Sequence, residues 1–82
     1  MGDGSRCDII TEKYAIEVEW ASKWKDSVGQ SLWYSFQSKK EAAIILILET
    51  EDDYRHLIKL NSLILDKKLP ITVLNQIQTR ER

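Results

Sequence analysis

The chain is short of the residues that staple or loosen small proteins. One cysteine, Cys7, excludes an internal disulfide, and its place among apolar residues predicts a buried thiol. One proline and three glycines in 82 residues leave no material for a flexible or polyproline linker. No apolar run approaches the roughly 20 residues that a membrane span needs. Residues 2–6 are polar rather than a basic segment leading into an apolar block, so a soluble, cytoplasmic, non-secreted protein with no membrane partner is expected. Neither sign of charge dominates: the net charge of −1 gives no overall attraction to nucleic acid and argues against non-specific duplex binding.

What is present fits one folded domain spanning residues 1–82, with residues 1–6 and 77–82 as flexible ends. A chain this small is near the lower limit for a self-sufficient core, which makes a homodimer or higher homo-oligomer an expectation. Residues 7–10 and 14–21 read as antiparallel strands joined by a two-residue turn, Glu12-Lys13. Residues 23–38 read as a helix capped by Ser22, with Trp24, Val28, Leu32 and Phe36 toward the sheet and Gly29 weakening its middle or permitting close packing. The apolar run 42–48 is a central strand covered on both faces. Thr50, followed by Glu51, Asp52 and Asp53, starts a second helix that runs to about Lys67 and buries Tyr54, Leu57, Ile58, Ile64 and Leu65. Pro70 stops it, 71–76 is the last strand, and 79–82 is a frayed tail.

The chemistry concentrates in the hairpin. If Glu12-Lys13 is the loop, Ile10 pairs with Ala15, Ile9 with Ile16 and Asp8 with Glu17, which puts two acids directly opposite each other and Glu19 on the same face. Cys7, Ile9, Ile16, Val18 and Trp20 take the other face, expected to be the core. Like charges paired across strands destabilise a sheet. A divalent cation, Mg²⁺ or Mn²⁺, would offset that repulsion, held by Asp8, Glu17 and the main-chain carbonyl of Val18. Glu19, about 6.6 Å further along the strand, would hold a second ion or orient water. Lys23 would stabilise a phosphate or orient the water from the start of the helix, and Gln30 and Tyr34 would bind a nucleic-acid backbone.

Lys23 and Lys25, Lys39 and Lys40, and Lys67 and Lys68, with Arg6, Arg80 and Arg82, could form a basic rim, although surface lysines are ordinarily only solvated. Trp33 stands off the core face, where it could stack on a base or a partner. His56 is expected to be exposed and without a role.

Asp8, the turn, E-V-E at Glu17 to Glu19, and a helix carrying G-Q-S-L-W-Y at Gly29 to Tyr34 resemble the core of the PD-(D/E)XK nuclease superfamily, the fold of restriction endonucleases and Holliday-junction resolvases. The similarity spans roughly residues 7–49. The element order read from the residues is β-β-α-β-α-β with a mixed sheet flanked by helices, and the resemblance implies that this α/β arrangement is a minimal restriction endonuclease-like fold. It also implies a metal-dependent endonuclease hydrolysing DNA, with Asp8, Glu17, Glu19 and Lys23 as the catalytic group.

This chain departs from the pattern in two ways. A lysine usually stands where it has Glu19, so that Lys23 would supply the ammonium. A helix and a strand usually precede the aspartate strand, whereas six residues precede Cys7. The resemblance therefore also admits a form completed by dimerisation, or a degenerate domain that binds nucleic acid or a protein without cutting.

Overall fold

A computed structural model describes residues 8–78 of the chain, so Cys7, Arg6, Arg80, Arg82 and the expected tail at 79–82 lie outside the described residues. Six main elements follow in order: strands β1 (Ile9–Ile10) and β2 (Tyr14–Trp20), helix α1 (Trp24–Ser38), strand β3 (Glu41–Leu48), helix α2 (Tyr54–Lys67) and strand β4 (Ile71–Gln78). They build a small α/β domain with one four-stranded mixed sheet in the order β1-β2-β3-β4, β1 antiparallel to β2 and the other neighbours parallel.

The turn chemistry sets the hairpin. Thr11 N–H donates to the Tyr14 carbonyl (2.9 Å) and Tyr14 N–H donates to Thr11 Oγ1 (2.8 Å), closing the loop at Glu12-Lys13 and pairing Ile10 with Ala15 and Ile9 with Ile16.

Both helix boundaries have local causes. The chain enters α1 through a single 3-10 turn at Ala21–Lys23, and Ser22 makes no capping bond. Before α2, the Asp53 carboxylate accepts the N–H groups of Glu49 (2.8 Å) and Thr50 (3.3 Å), which gathers the expected acidic start into a capping box. Each helix ends on a left-handed lysine, Lys39 (φ 64°) and Lys68 (φ 55°), where glycine is usual. Lysine there complements the negative end of the helix dipole.

The main core cluster lies on one face of the sheet. Ala42, Ile44, Leu46 and Leu48 of β3 pack with Trp24 from α1 and Leu60 from α2, joined by Val28, Leu32, Leu57, Leu63 and Ile64. Both helices therefore cover the same face, and the expected flanking of the sheet on two sides does not occur among the described residues. The reason is topological. Two successive right-handed crossovers that step in the same direction across a sheet leave their helices on the same side.

Register then decides which residues of β2 meet the helices. Ala15, Glu17 and Glu19 pair with Ala42, Ile44 and Leu46, so the acids share the helix-covered face. Ile16 and Val18 lie on the opposite face with Ala43 and Ile45, while Ile9 and Trp20 are exposed. The face expected to be core thus carries no helix, although Ile16 (5% exposed) and Ala43 are buried on it, and the acid face is the one the helices cover.

The helix stripes shift as well. On α1 the buried positions are Trp24, Ser27, Ser31 and Tyr34, whereas Phe36 is 65% exposed and stacks on Trp33 with ring centroids 5.6 Å apart. On α2 the buried residue is Leu60, and Ile58 and Leu65 point outward. Apolar residues recur on more than one stripe of each helix, and tertiary packing selects among them. Close packing does not account for Gly29, because a Cβ placed there meets nothing within 4 Å. Gly29→Ala is therefore expected to stabilise the fold by about 0.5–1 kcal/mol, read as a higher urea midpoint at unchanged slope.

Candidate functional site

The site begins where the β1 ladder ends. One residue before Ile9, the side chain of Asp8 takes over from the main chain: its Oδ2 accepts the N–H of Val18 at 3.0 Å. This bond holds the Asp8 carboxylate against β2 beside Glu17. Two residues further along β2, Glu19 is half-buried, and its Oε1 accepts the N–H of Trp20 at 2.9 Å.

Glu17 is the unusual member. It is only 6% exposed on the helix-covered face, and its Oε1 is buried with no hydrogen-bond partner. The polar groups of the overlying helix do not supply one. Ser27 Oγ donates to the Trp24 carbonyl (2.6 Å) and Ser31 Oγ to the Val28 carbonyl (3.0 Å), so the two buried serines donate within α1. Burial, and then the charges of Asp8 and Glu19, push the Glu17 carboxyl up from its ordinary 4.5 to about 7. A carboxylate kept from water beside two more acids has its ionised form destabilised unless positive charge is brought to it.

No lysine or arginine brings that charge among the described residues. The ion pairs there, Arg55 with Asp52 and Lys67 with Asp66, lie on α2 and the turn that leads into it. Lys23 is exposed on the turn into α1 and forms no ion pair with Glu17 or Glu19. Gln30 is exposed on α1, but Tyr34 is only 4% exposed, so Lys23, Gln30 and Tyr34 do not present one continuous surface stripe. Trp33 is exposed, as its place in the sequence suggests. The lysines are dispersed: Lys40 Nζ donates to the Glu12 carbonyl (3.0 Å), and Lys39 lies over the Phe36 ring at 5.2 Å.

As a metal site the arrangement is partial. No group of three or more His, Cys, Asp or Glu side chains among the described residues is placed to hold a metal ion. The donor chemistry nonetheless suits a hard cation, since the acids offer only oxygens and Glu17 keeps one with no partner. A surface cavity of about 520 Å³ lies elsewhere, at the start of β3 and β4 between Ser35, Lys40, Ala42, Leu69 and Ile71, and none of the three acids lines it.

One polar atom escaped the sequence reading. His56 Nδ1, on the first turn of α2, is buried without a hydrogen-bond partner. Its spacing of four from Leu60 was the available signal, since residues four apart share a helix face.

Among the described residues no helix is long and apolar enough to cross a membrane. In comparisons with known proteins, the chain matches no family model, no curated protein and no solved structure.

Proposed function

We propose that this domain is a divalent-metal-dependent nuclease with a restriction endonuclease-like fold, acting on the phosphodiester bonds of DNA. The observation that carries the reading is the buried, unpartnered Oε1 of Glu17 between two further carboxylates. Natural folds seldom keep such a group without a use for it. Asp8, Glu17 and the Val18 carbonyl would hold Mg²⁺ or Mn²⁺, with Glu19 adjacent. When bound, the ion supplies Lewis acidity and lowers the pKa of a coordinated water.

The chain's own groups have separate tasks. Asp8 is positioned by the Val18 N–H, which leaves its other oxygen available to a ligand. Glu17 contributes as the anion, so function requires it to lose the proton that burial favours. Glu19 would accept a proton from the attacking water, and the exposed Lys23 would meet a phosphate oxygen at the rim. Gln30 would contact the substrate backbone from the outer side of α1. Tyr34, being buried, would support the packing of α1 rather than meet the substrate directly.

The second reading, a domain that binds nucleic acid or protein without cutting, is favoured by the lack of a three-ligand group among the described residues. Calorimetric titration with Mn²⁺ separates the two. The nuclease reading expects binding that weakens at least about 100-fold in an Asp8→Asn, Glu17→Gln double variant, together with plasmid cleavage that chelator stops. Cleavage that persists in chelator, or no Mn²⁺ binding by the intact chain, would overturn it.

A further inference from the structure

The two edges of the sheet are treated differently. β1 is only two residues long, and brevity is one of the ordinary ways of protecting an edge from other chains. β4, at the other edge, runs eight residues, I-T-V-L-N-Q-I-Q, and contains no charge and no proline. Its inner side pairs with β3, and among the described residues no strand pairs with its outer side.

Beside this edge, α2 is the crossover that leads from β3 to β4. Its Leu57, Leu60 and Ile64 belong to the core, yet Ile58 and Leu65 are 63% and 77% exposed. They lie seven residues apart, two turns along one stripe of the helix that neither the sheet nor α1 covers.

The charges on α2 indicate what would cover that stripe. Glu51, Asp52 and Asp53 mark its start, and Lys67 and Lys68 mark its end. A two-fold axis would run a second α2 antiparallel to the first, setting the acidic end of each against the basic end of the other. The same operator places Ile58 across from Leu65. It also sets one β4 antiparallel to the other, so that each unpaired edge meets an identical one.

We propose that a second copy of this chain docks on the β4 edge and the exposed stripe of α2, continuing the sheet across a two-fold axis. This surface involves none of Asp8, Glu17 and Glu19, so the proposal is independent of the nuclease reading.

Light scattering on the full chain, from roughly 1 to 100 µM, tests it. The expected mass is twice the 9.6 kDa of one chain. Ile58→Asp with Leu65→Asp should weaken the dimer at least about tenfold while leaving the circular dichroism unchanged, because both side chains are exposed. Glu51→Lys and Lys68→Glu, at exposed ends of the helix with no ion pair within the chain among the described residues, should each weaken it, and the two together should restore it. Trp33→Asp, on α1, should leave it intact. A monomer mass across the range would overturn the proposal, as would a dimer indifferent to the Ile58 and Leu65 changes or one lost equally with Trp33→Asp.

Discussion

Glu17→Gln is expected to lower metal-dependent DNA cleavage by at least about 100-fold while making the metal-free protein more stable at pH 8 by about 2 kcal/mol. The two effects have one cause. Glutamine keeps the shape of the side chain but removes the charge that would bind a cation. In the metal-free fold that same charge is a liability, because it is buried beside Asp8 and Glu19.

The direction of the pH effect follows from proton counts. Burial raises the Glu17 carboxyl from 4.5 to about 7, so between those values the folded protein holds a proton that the unfolded chain has released. Wild-type stability therefore falls as pH rises through this window and levels off above about 7, whereas Glu17→Gln lacks this component. Full conversion of the shift would give about 3 kcal/mol, and relaxation of the fold around the ionised carboxylate reduces it to about 2 kcal/mol. Urea denaturation at intervals from pH 5 to 8 reads the slope directly, and an equal slope in the variant would refute the account. Adding Mn²⁺ at pH 8 should restore stability to wild type and not to Glu17→Gln, since a ligand that binds only the folded state stabilises it.

The second large effect is expected at Leu60. This fully buried side chain joins α2 to Ile44, Leu46 and Leu48 of β3, in the same cluster as Trp24 of α1. Leu60→Ala removes buried methyl groups and leaves a cavity in a small core, at a cost of about 3–4 kcal/mol. A chain of this size is ordinarily stable by only about 4–12 kcal/mol, so the variant should lose a large share of its stability and melt roughly 12–25 °C lower. Phe36→Ala, which truncates a ring that is mostly solvent-exposed, should cost at most about 1 kcal/mol. Thermal melts of the two variants check the contrast, and similar losses would mean that the core is not organised around Leu60.

Elements with a local cause were readable in the sequence. Thr11 to Tyr14 closes a turn by its own hydrogen bonds, and that turn alone counts out the pairing of Ile9 with Ile16. Thr50 and Asp53 begin a helix through contacts within a few residues of each other. The apolar run of β3 forms a strand because it is bounded by breaks on both sides and is too short for most helices. The candidate site was readable to the same extent: hairpin register brings Asp8 to Glu17, and the alternation of a strand adds Glu19.

The remainder depended on distant parts of the chain. Periodicity showed that α1 and α2 each had apolar stripes, but it could not choose between Leu60 and Leu65, or between Tyr34 and Phe36, because several stripes qualified. Nor could it show that Glu17 is covered by a helix, which follows from the direction of the crossover after β2. The hairpin, the strands, the helix ends and the grouping of three acids are therefore properties of the sequence itself, set by turn bonds, capping and side-chain alternation over a few residues. Which face is packed, and hence that Glu17 is a buried carboxyl without a partner rather than an exposed one on a wet sheet, was decided only by tertiary structure. Strand order and crossover handedness are settled among residues far apart in the chain, where no local pattern reaches.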